Sequence, residues 1–462
     1  MISIEQQLRQ LLESGELDAA REVVGALDIS SANNINELLL GAIVCRRLND
    51  IDKAVQLSYR AMRVEPGNIY LIIEYSNNLI KLGKLDEAEA VLEEVSDDLK
   101  QDKHYRLHLS KILYQKREYE LTVRHLVNLV KQHPNFAAAH MELAHALLMH
   151  GKWFAGWQEY EWRYRMQKTQ NALPKFRMPH WDGSADTPHI LLIADQGYGD
   201  CFQFSRYIPL VAKRCHQVSL IRSKPIARLM DSISDVSFSY MNWHDTPRTT
   251  AYCTLSGLPR LFSPQPDTIP DCSGILKADK EDEERWARRL KEASKNAVLR
   301  VGVAWSGRVE FEDNPLRAVP FDEIEKLFDV SGIQFFSLQV GTPASQAIGK
   351  DIIDLSTELT DFAETAAVME GLDLIITSDT AVAHLAGTLG RPTWVLLNYA
   401  PDWRWGSSGS SSPWYATMRL FRQDQTRSWG RVVSECKSLL NDIVTADEVH
   451  SMLHELLPHD AT

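Results

Sequence analysis

A period of 34 residues runs through the first third of the chain and limits what that third can fold into. Ala20, Ala54 and Ala88 are 34 residues apart, and two further steps reach Thr122 and Gly156. Five residues before each of these stand Gly15, Asn49, Gly83, Arg117 and Gly151, where a turn between two helices falls. Pro66 and Pro134, two periods apart, mark where the second helix of a unit stops. Ala42, Ser76, Ser110 and Ala144 put a small side chain on the first helix, so that helices can pack closely. Such units bury their faces only against their neighbours. Five of them are expected over residues 1–170, the first the least regular, as an end cap is.

In these offsets the segment resembles the tetratricopeptide repeat, which implies a concave groove for an extended peptide or a helix. A dimerisation or spacer role for the array stays open, and with it a homo-oligomer. The fifth unit ends in Trp153, Trp157, Tyr160, Trp162 and Tyr164. The first three follow i, i+4, i+7 spacing, so one helix face is aromatic. That face is expected to pack against the next domain rather than to stack on a sugar. Residues 171–187, polar and carrying Pro174 and Pro179 before Trp181, read as a linker.

At 462 residues the chain is too long for one core, and about three domains are expected. No apolar run approaches the roughly 20 residues that span a bilayer. The opening MISIEQQLRQ lacks the basic and apolar regions of a secretory signal. A cytoplasmic protein is the expectation. Six cysteines are scattered with no CxxC pair, which argues against a zinc site or a disulfide framework and fits a reducing compartment. A net charge of −12 disfavours nucleic acid as a partner, because counterion displacement needs a basic footprint.

After Pro188 apolar runs alternate with helical segments, the signature of βαβ units and a parallel sheet. HILLIAD, QVSLI and VSFSYM read as strands, with GDCFQFSRYIPLVAKRC and KPIARLMDSI as helices between them. A charged helix over 280–295 bridges to a second series: LRVGVAWSG, IQFFSLQ, DLIITS and PTWVLL as strands, with helices between and after. The fold class is therefore α plus α/β, a repeat solenoid followed by two Rossmann-like lobes. Two such lobes with a cleft between them describe the GT-B glycosyltransferase architecture, here an N-lobe over 188–296 on the acceptor side and a C-lobe over 297–462 on the nucleotide-sugar side. Ligands of open parallel sheets bind beyond the carboxyl ends of the strands, so the chemistry is sought at the strand-to-helix turns.

The first such turn is Asp195-Gln196-Gly197-Tyr198-Gly199-Asp200. Gly197 and Gly199 allow close backbone approach, and the following helix offers unpaired N–H groups to an anion. Asp200 is a carboxylate at a helix N-terminus, which the dipole favours. It is either a helix cap or a base facing the cleft. The second turn runs from Ser378 through Asp379, Thr380 and Ala381 to His384. Thr380 and the N–H groups after it can hold a diphosphate without a metal, and His384 shares the face of Thr380. Helix caps and a satisfied core histidine explain the same residues. Asp354, Asp361 and Glu364 are candidates for ribose contacts or plain capping carboxylates.

Taken together, DQGYGD, QFSRY, RVGVAWSG, DFAETAAVMEGLDLIITSDTAVAHLAG, RPTWVLL, APDWRW and SPWYATMRLFRQ look like the glycosyltransferase family 9 (heptosyltransferase-like) module, over about residues 150–440. The resemblance implies Asp200 as general base and Asp379, Thr380, Ala381 and His384 as donor-binding residues. Its basic stretch falls on SGRVEFEDNPLRAVP, where Arg317 matches, the usual Lys or His and the following Ser are missing, Arg308 is the candidate substitute, and Ser306 is counted with them among the donor-binding residues. Inverting transfer from a nucleotide sugar, with an ADP- or UDP-sugar as the candidates, and without a metal or other cofactor is the expectation. Asp-x-Asp, the metal clasp of the other glycosyltransferase fold, occurs only as Asp50-Ile51-Asp52 in a repeat turn. The acceptor would be a protein presented by the repeats, for example flagellin or another surface protein, or else a lipopolysaccharide or capsule saccharide. A non-enzymatic scaffold with a degenerate nucleotide-sugar module is the competing class. The loop GSSGSSSPW (406–414) is expected to be mobile.

Overall fold

The computed structural model describes residues 2–262, 265–294, 297–309, 311, 313–446 and 448–455. Packing divides the chain into two units, residues 1–146 with 308–317, and residues 147–307 with 318–462.

The first unit is built from helix pairs. The first helices of successive pairs begin at Ile35, Ile69, Lys103 and Ala137, and the second helices at Leu17, Ile51, Leu85, Tyr119 and Trp153. The last pair runs on into the second unit. All five turn positions adopt left-handed backbone, with φ of 78° at Gly15, 60° at Asn49, 83° at Gly83, 65° at Arg117 and 75° at Gly151. The turn geometry is thus enforced even at Asn49 and Arg117, where a Cβ costs roughly 1–2 kcal/mol. Ala20, Ala42, Ala54, Ala88 and Ala144 are fully buried at the helix contacts. Leu8, Leu38, Leu57 and their neighbours form the core of the first repeats.

Ser76 and His108 form a polar pair buried in this stack. The Ser76 hydroxyl donates to the Ala88 carbonyl at 3.0 Å. It therefore accepts from His108 Nε2, also at 3.0 Å, which makes His108 the neutral Nε2–H tautomer. Burial, with Lys111 nearby, pushes the imidazole down to about 3. Because that lies below the ordinary value of 6.5, the unfolded chain takes the proton first. The contribution is fully present above pH 6.5 and is lost as pH falls toward 3. At pH 4 the loss is expected to be roughly 3 kcal/mol. His108→Gln keeps a donor for Ser76 without titrating, so urea unfolding of this variant should lose less between pH 7 and 4 than the wild type does. Equal losses would remove His108 from the acid response.

The second unit carries two parallel sheets. One has the order β3-β2-β1-β4, with β1 Ile190–Ile193, β2 Val218–Ile221, β3 Phe238–Tyr240 and β4 Ala251–Thr254. Ile190 faces Val218 on one side and Ala251 on the other. The second sheet has the order β10-β9-β8-β5-β6-β7. Its strands are β5 Leu299–Ala304, β6 Ile333–Ser337, β7 Ile353–Asp354, β8 Leu374–Ser378, β9 Thr393–Leu397 and β10 Met418–Arg422. β1, β8 and β9 are buried along their whole length, as helix-covered parallel strands must be. These are the two Rossmann-like lobes that the alternation predicts.

Local differences have physical causes. The stretch 199–215, expected as one helix, is two, Tyr198–Ser205 and Ile208–Ala212, because Pro209 cannot sit in a helix interior. The charged helix spans Lys280–Ala293, and Lys295, expected as its last residue, lies outside the described residues. The chain's last expected helix is present as Val449–Glu455, while Leu456 and Leu457 also lie outside them. Inside the stretch read as a linker, Trp181 is 2% exposed and its backbone N–H donates to the Tyr252 carbonyl of β4 at 2.8 Å. The loop 406–414 is not loose. The Arg422 guanidinium donates to the carbonyls of Gly409 (2.7 Å) and Gly406 (3.0 Å), and Leu420 N–H donates to the Ser410 carbonyl (2.8 Å). The half-buried Arg422 guanidinium thus ties down the Gly/Ser loop. Among the described residues no helix is long and apolar enough to cross a membrane.

Candidate functional site

Each sheet reverses its strand order once. In the first lobe the chain goes from β1 outward to β2 and β3 and returns to place β4 on the other side of β1. In the second lobe the same reversal separates β5 from β8. Crevices at such reversals are where open parallel sheets bind ligands.

The N-lobe crevice is filled by the protein itself. Asp195 follows β1 and Ser256 follows β4. The Ser256 backbone N–H donates to Asp195 Oδ1 at 3.0 Å, and its hydroxyl donates to Oδ2. Arg163, 2% exposed, donates to the Ser256 hydroxyl (2.9 Å), the Thr254 hydroxyl (3.2 Å), the Tyr164 hydroxyl (2.8 Å) and the Tyr160 carbonyl (3.0 Å). Burial raises the pKa of Asp195, while Arg163 and Ser256 work against that rise. The arginine comes from the 3-10 turn Glu161–Arg165 that follows the last repeat helix.

Beyond Asp195 the chain passes through Gln196, whose φ is 63°, into the helix Tyr198–Ser205. Asp200 does two things. Its Oδ2 accepts from the Gly197 backbone N–H at 3.0 Å, a cap, and its Oδ1 accepts from the Arg404 guanidinium. Gly197 has φ −84°, which any residue adopts. Gly199 is required for a different reason. A Cβ there would lie 2.6 Å from His384 Cδ2 and 3.5 Å from Ala381 Cα. The turn before the N-lobe helix and the start of the C-lobe helix Ala381–Thr388 therefore touch. His384 cannot step aside, since Tyr415 holds its Nδ1 (3.0 Å) and Trp405 stacks on its face (5.2 Å, 22°). Gly199→Ala is expected to cost about 1–3 kcal/mol of stability, read by urea unfolding. A neutral result would mean that the two helices do not meet in solution.

On the C-lobe side, Asp379 and Thr380 follow β8 at the reversal, and both are buried, as is His384. The Thr380 hydroxyl accepts from Val382 N–H at 3.2 Å and lies 3.3 Å from that of Thr377. Ser306 follows β5 on the neighbouring strand, with its N–H held by the Gln339 side chain at 2.9 Å. Asp200, Gly199, Ala381 and His384 are thus brought together, and Asp379, Thr380 and Ser306 stand at the ends of adjacent strands. Arg308 and Arg317 belong to the segment 308–317 of the first unit, where Arg317 lies over the Phe311 ring at 4.4 Å. Asp361 caps the helix Phe362–Glu370, accepting from Glu364 N–H at 2.9 Å, and pairs with Arg228 at 3.2 Å. Glu364 accepts from the Trp286 indole at 2.6 Å, and Asp354 from Ser356 N–H at 2.9 Å. Those three carboxylates are engaged in caps and pairs.

Arg404, Trp405, Tyr415, Arg163 and Ser256 were not picked out by sequence. Arg404 and Trp405 lie within the quoted stretch APDWRW, and no periodicity or spacing marks either. The aromatic face of the last repeat helix does pack as expected. Trp153 stacks on Trp414 (5.4 Å), and Trp157 meets Trp403 (5.3 Å) and Phe204 (6.2 Å) edge-on.

Residues 47–112 match the tetratricopeptide repeat, and residues 346–431 match glycosyltransferase family 9 (heptosyltransferase). Protein FlbA of Caulobacter vibrioides is 23% identical over 349 residues, which cover 67% of this chain and 56% of that protein. The chain thus spans little more than half the length of that relative. A glycosyltransferase family 9 structure from Veillonella parvula is similar at 12% identity and a TM-score of 0.41, covering 56% of this chain and 99% of that one. The ADP-heptose lps heptosyltransferase II of E. coli is similar at 14% identity and a TM-score of 0.39, covering 55% and 99%. The chain carries tetratricopeptide repeats in its N-terminal part and a glycosyltransferase family 9 domain in its C-terminal part.

Proposed function

We propose that this chain is an inverting, metal-independent glycosyltransferase that moves a sugar from an ADP- or UDP-sugar to a hydroxyl of a protein held by its repeats. The observation that carries the reading is the meeting of Gly199 with His384 and Ala381, which brings the Asp200 turn of one lobe to the start of the helix Ala381–Thr388 of the other. The N-lobe crevice is occupied by Arg163, so the donor belongs to the β5/β8 reversal of the C-lobe.

In the proposed reaction the acceptor oxygen attacks the anomeric carbon from the face opposite the diphosphate. A new C–O bond forms as the anomeric C–O bond to phosphate breaks, and the electron pair leaves on the diphosphate oxygen. Asp200 takes the acceptor proton. The N–H groups that open the helix Ala381–Thr388 receive the leaving diphosphate, with Thr380, Asp379 and His384 shaping the donor site.

A protein acceptor is favoured by an aromatic strip across three repeats. Tyr70 lies 5.5 Å from His104, and His104 lies 5.2 Å from Phe136, with Tyr70 62% exposed. The test is transfer of labelled sugar to cell protein by the full chain and by Tyr70→Ala/Phe136→Ala, each with and without chelator. Undiminished transfer in chelator and strong loss in the double variant are expected. Full transfer to protein by the double variant would mean that the strip does not hold the acceptor, label found in saccharide rather than protein would favour a saccharide acceptor, and loss in chelator would overturn the metal-free mechanism.

A further inference from the structure

A carboxylate held only by the N–H three residues before it would be an ordinary helix cap. Asp200 differs in having its second oxygen engaged from the other lobe, by Arg404. That arginine is itself tightly held. Its Nη1 donates to Asp402 Oδ1 at 2.8 Å and its Nε to Gln203 Oε1 at 2.7 Å, and the guanidinium lies over the Trp403 ring at 4.3 Å. Asp402 in turn caps the short 3-10 turn Trp403–Trp405 by accepting from Arg404 N–H at 3.0 Å. Burial pulls the guanidinium pKa down, and Asp402 and Asp200 more than restore it, leaving the charge secure.

The two contacts on Asp200 come from different directions and together fix the plane of its carboxyl group. One belongs to its own turn. The other arrives with the C-lobe, on the residue next to Trp405, which stacks on His384. Each carboxylate oxygen keeps a second lone pair for a substrate proton.

We propose that Arg404 is the positioning residue of the base, aiming Asp200 at the acceptor hydroxyl only when the donor-binding lobe is seated against it. This rests on Asp200 being the base. Misplacing a reacting group by about 1 Å costs on the order of 10²-fold. Arg404→Gln should therefore lower kcat by about 10²-fold with the donor KM nearly unchanged. Arg404→Lys, which keeps the charge but lacks the planar fork, should recover part of the loss.

The experiment reads nucleoside diphosphate release by the full chain from a pool of ADP-glucose, UDP-glucose and UDP-N-acetylglucosamine in the presence of cell protein as acceptor, alongside thermal unfolding of each variant. The single variants Arg404→Gln, Arg404→Lys and Asp200→Asn are compared with the double variant Arg404→Gln/Asp200→Asn. Expected is that Arg404→Gln removes nothing further once Asp200 is gone, because a base that is absent needs no aiming. Losses that multiply would overturn the proposal, as would a raised donor KM at unchanged kcat, which would make Arg404 a donor ligand. If Arg404→Gln unfolds, Arg404→Lys in the same cycle decides by the same criterion. Slow Asp200→Asn with fast Arg404→Gln would sink the positioning role alone. Wild-type turnover in Asp200→Asn, or no release by the wild type, would sink the base or transferase reading first and this one with it.

Discussion

Asp200→Asn is expected to lower turnover by about 10²–10⁴-fold, the usual contribution of a general base, while nucleotide affinity stays near that of the wild type. Asparagine is nearly isosteric and its carbonyl oxygen can still accept from Gly197 N–H, so the cap at 3.0 Å survives. What is lost is the ability to take a proton, together with the oxygen that accepts from Arg404. The proposed donor site, at Asp379, Thr380 and His384, stands on the other lobe. Steady-state turnover combined with nucleotide titration separates the two effects. A variant with wild-type turnover would return Asp200 to the role of a helix cap.

The second large effect is structural. Trp157 is 1% exposed and lies edge-on to Trp403, Tyr160 and Phe204, at 5.3, 5.6 and 6.2 Å. Trp157→Ala should cost about 3–5 kcal/mol, the range for emptying a large aromatic site in a core. Against a typical domain stability of about 5–15 kcal/mol, that is a large fraction. Trp403 and Phe204 also flank the Arg404 guanidinium, at 4.3 and 5.9 Å. The variant should therefore lose activity before it unfolds. Phe154, on the same helix but 62% exposed, supplies the control, and Phe154→Ala should be close to neutral. Urea unfolding checks both, and equal costs would mean that the helix is not seated as described.

The arm and the strands of the core were legible because their constraints are local or repeated. Every repeat imposes the same turn at the same offset, so Gly15, Asn49, Gly83, Arg117 and Gly151 could be aligned by position alone, and all five have positive φ. The aromatic stripe of Trp153, Trp157 and Tyr160 was legible through helical spacing. Strands such as Ile190–Ile193 and Leu374–Ser378 show as short buried apolar runs. β4, with the sequence Ala-Tyr-Cys-Thr, and the two-residue β7 carry no such run, and pairing with a neighbour is what makes them strands.

The site divides in the same way. Its turns were visible as glycine and aspartate between a strand and a helix. Their partners were not, because the contacts join residues far apart in the chain: Asp200 and Arg404 are separated by 204 positions, and Arg163 and Ser256 by 93. Gly199 shows the limit well. Its close approach was expected to serve a ligand, whereas the neighbour it accommodates is the His384 ring.

The most direct measurement is thermal unfolding of the full chain against ADP-, UDP-, GDP- and CMP-sugars. A ligand at 100 times its Kd adds about 2.7 kcal/mol to the unit that binds it. A raised melting temperature of the second unit with ADP- or UDP-sugars is the predicted result. No shift with any of the four would contradict a nucleotide-sugar site at the β5/β8 reversal and leave the chain a repeat scaffold.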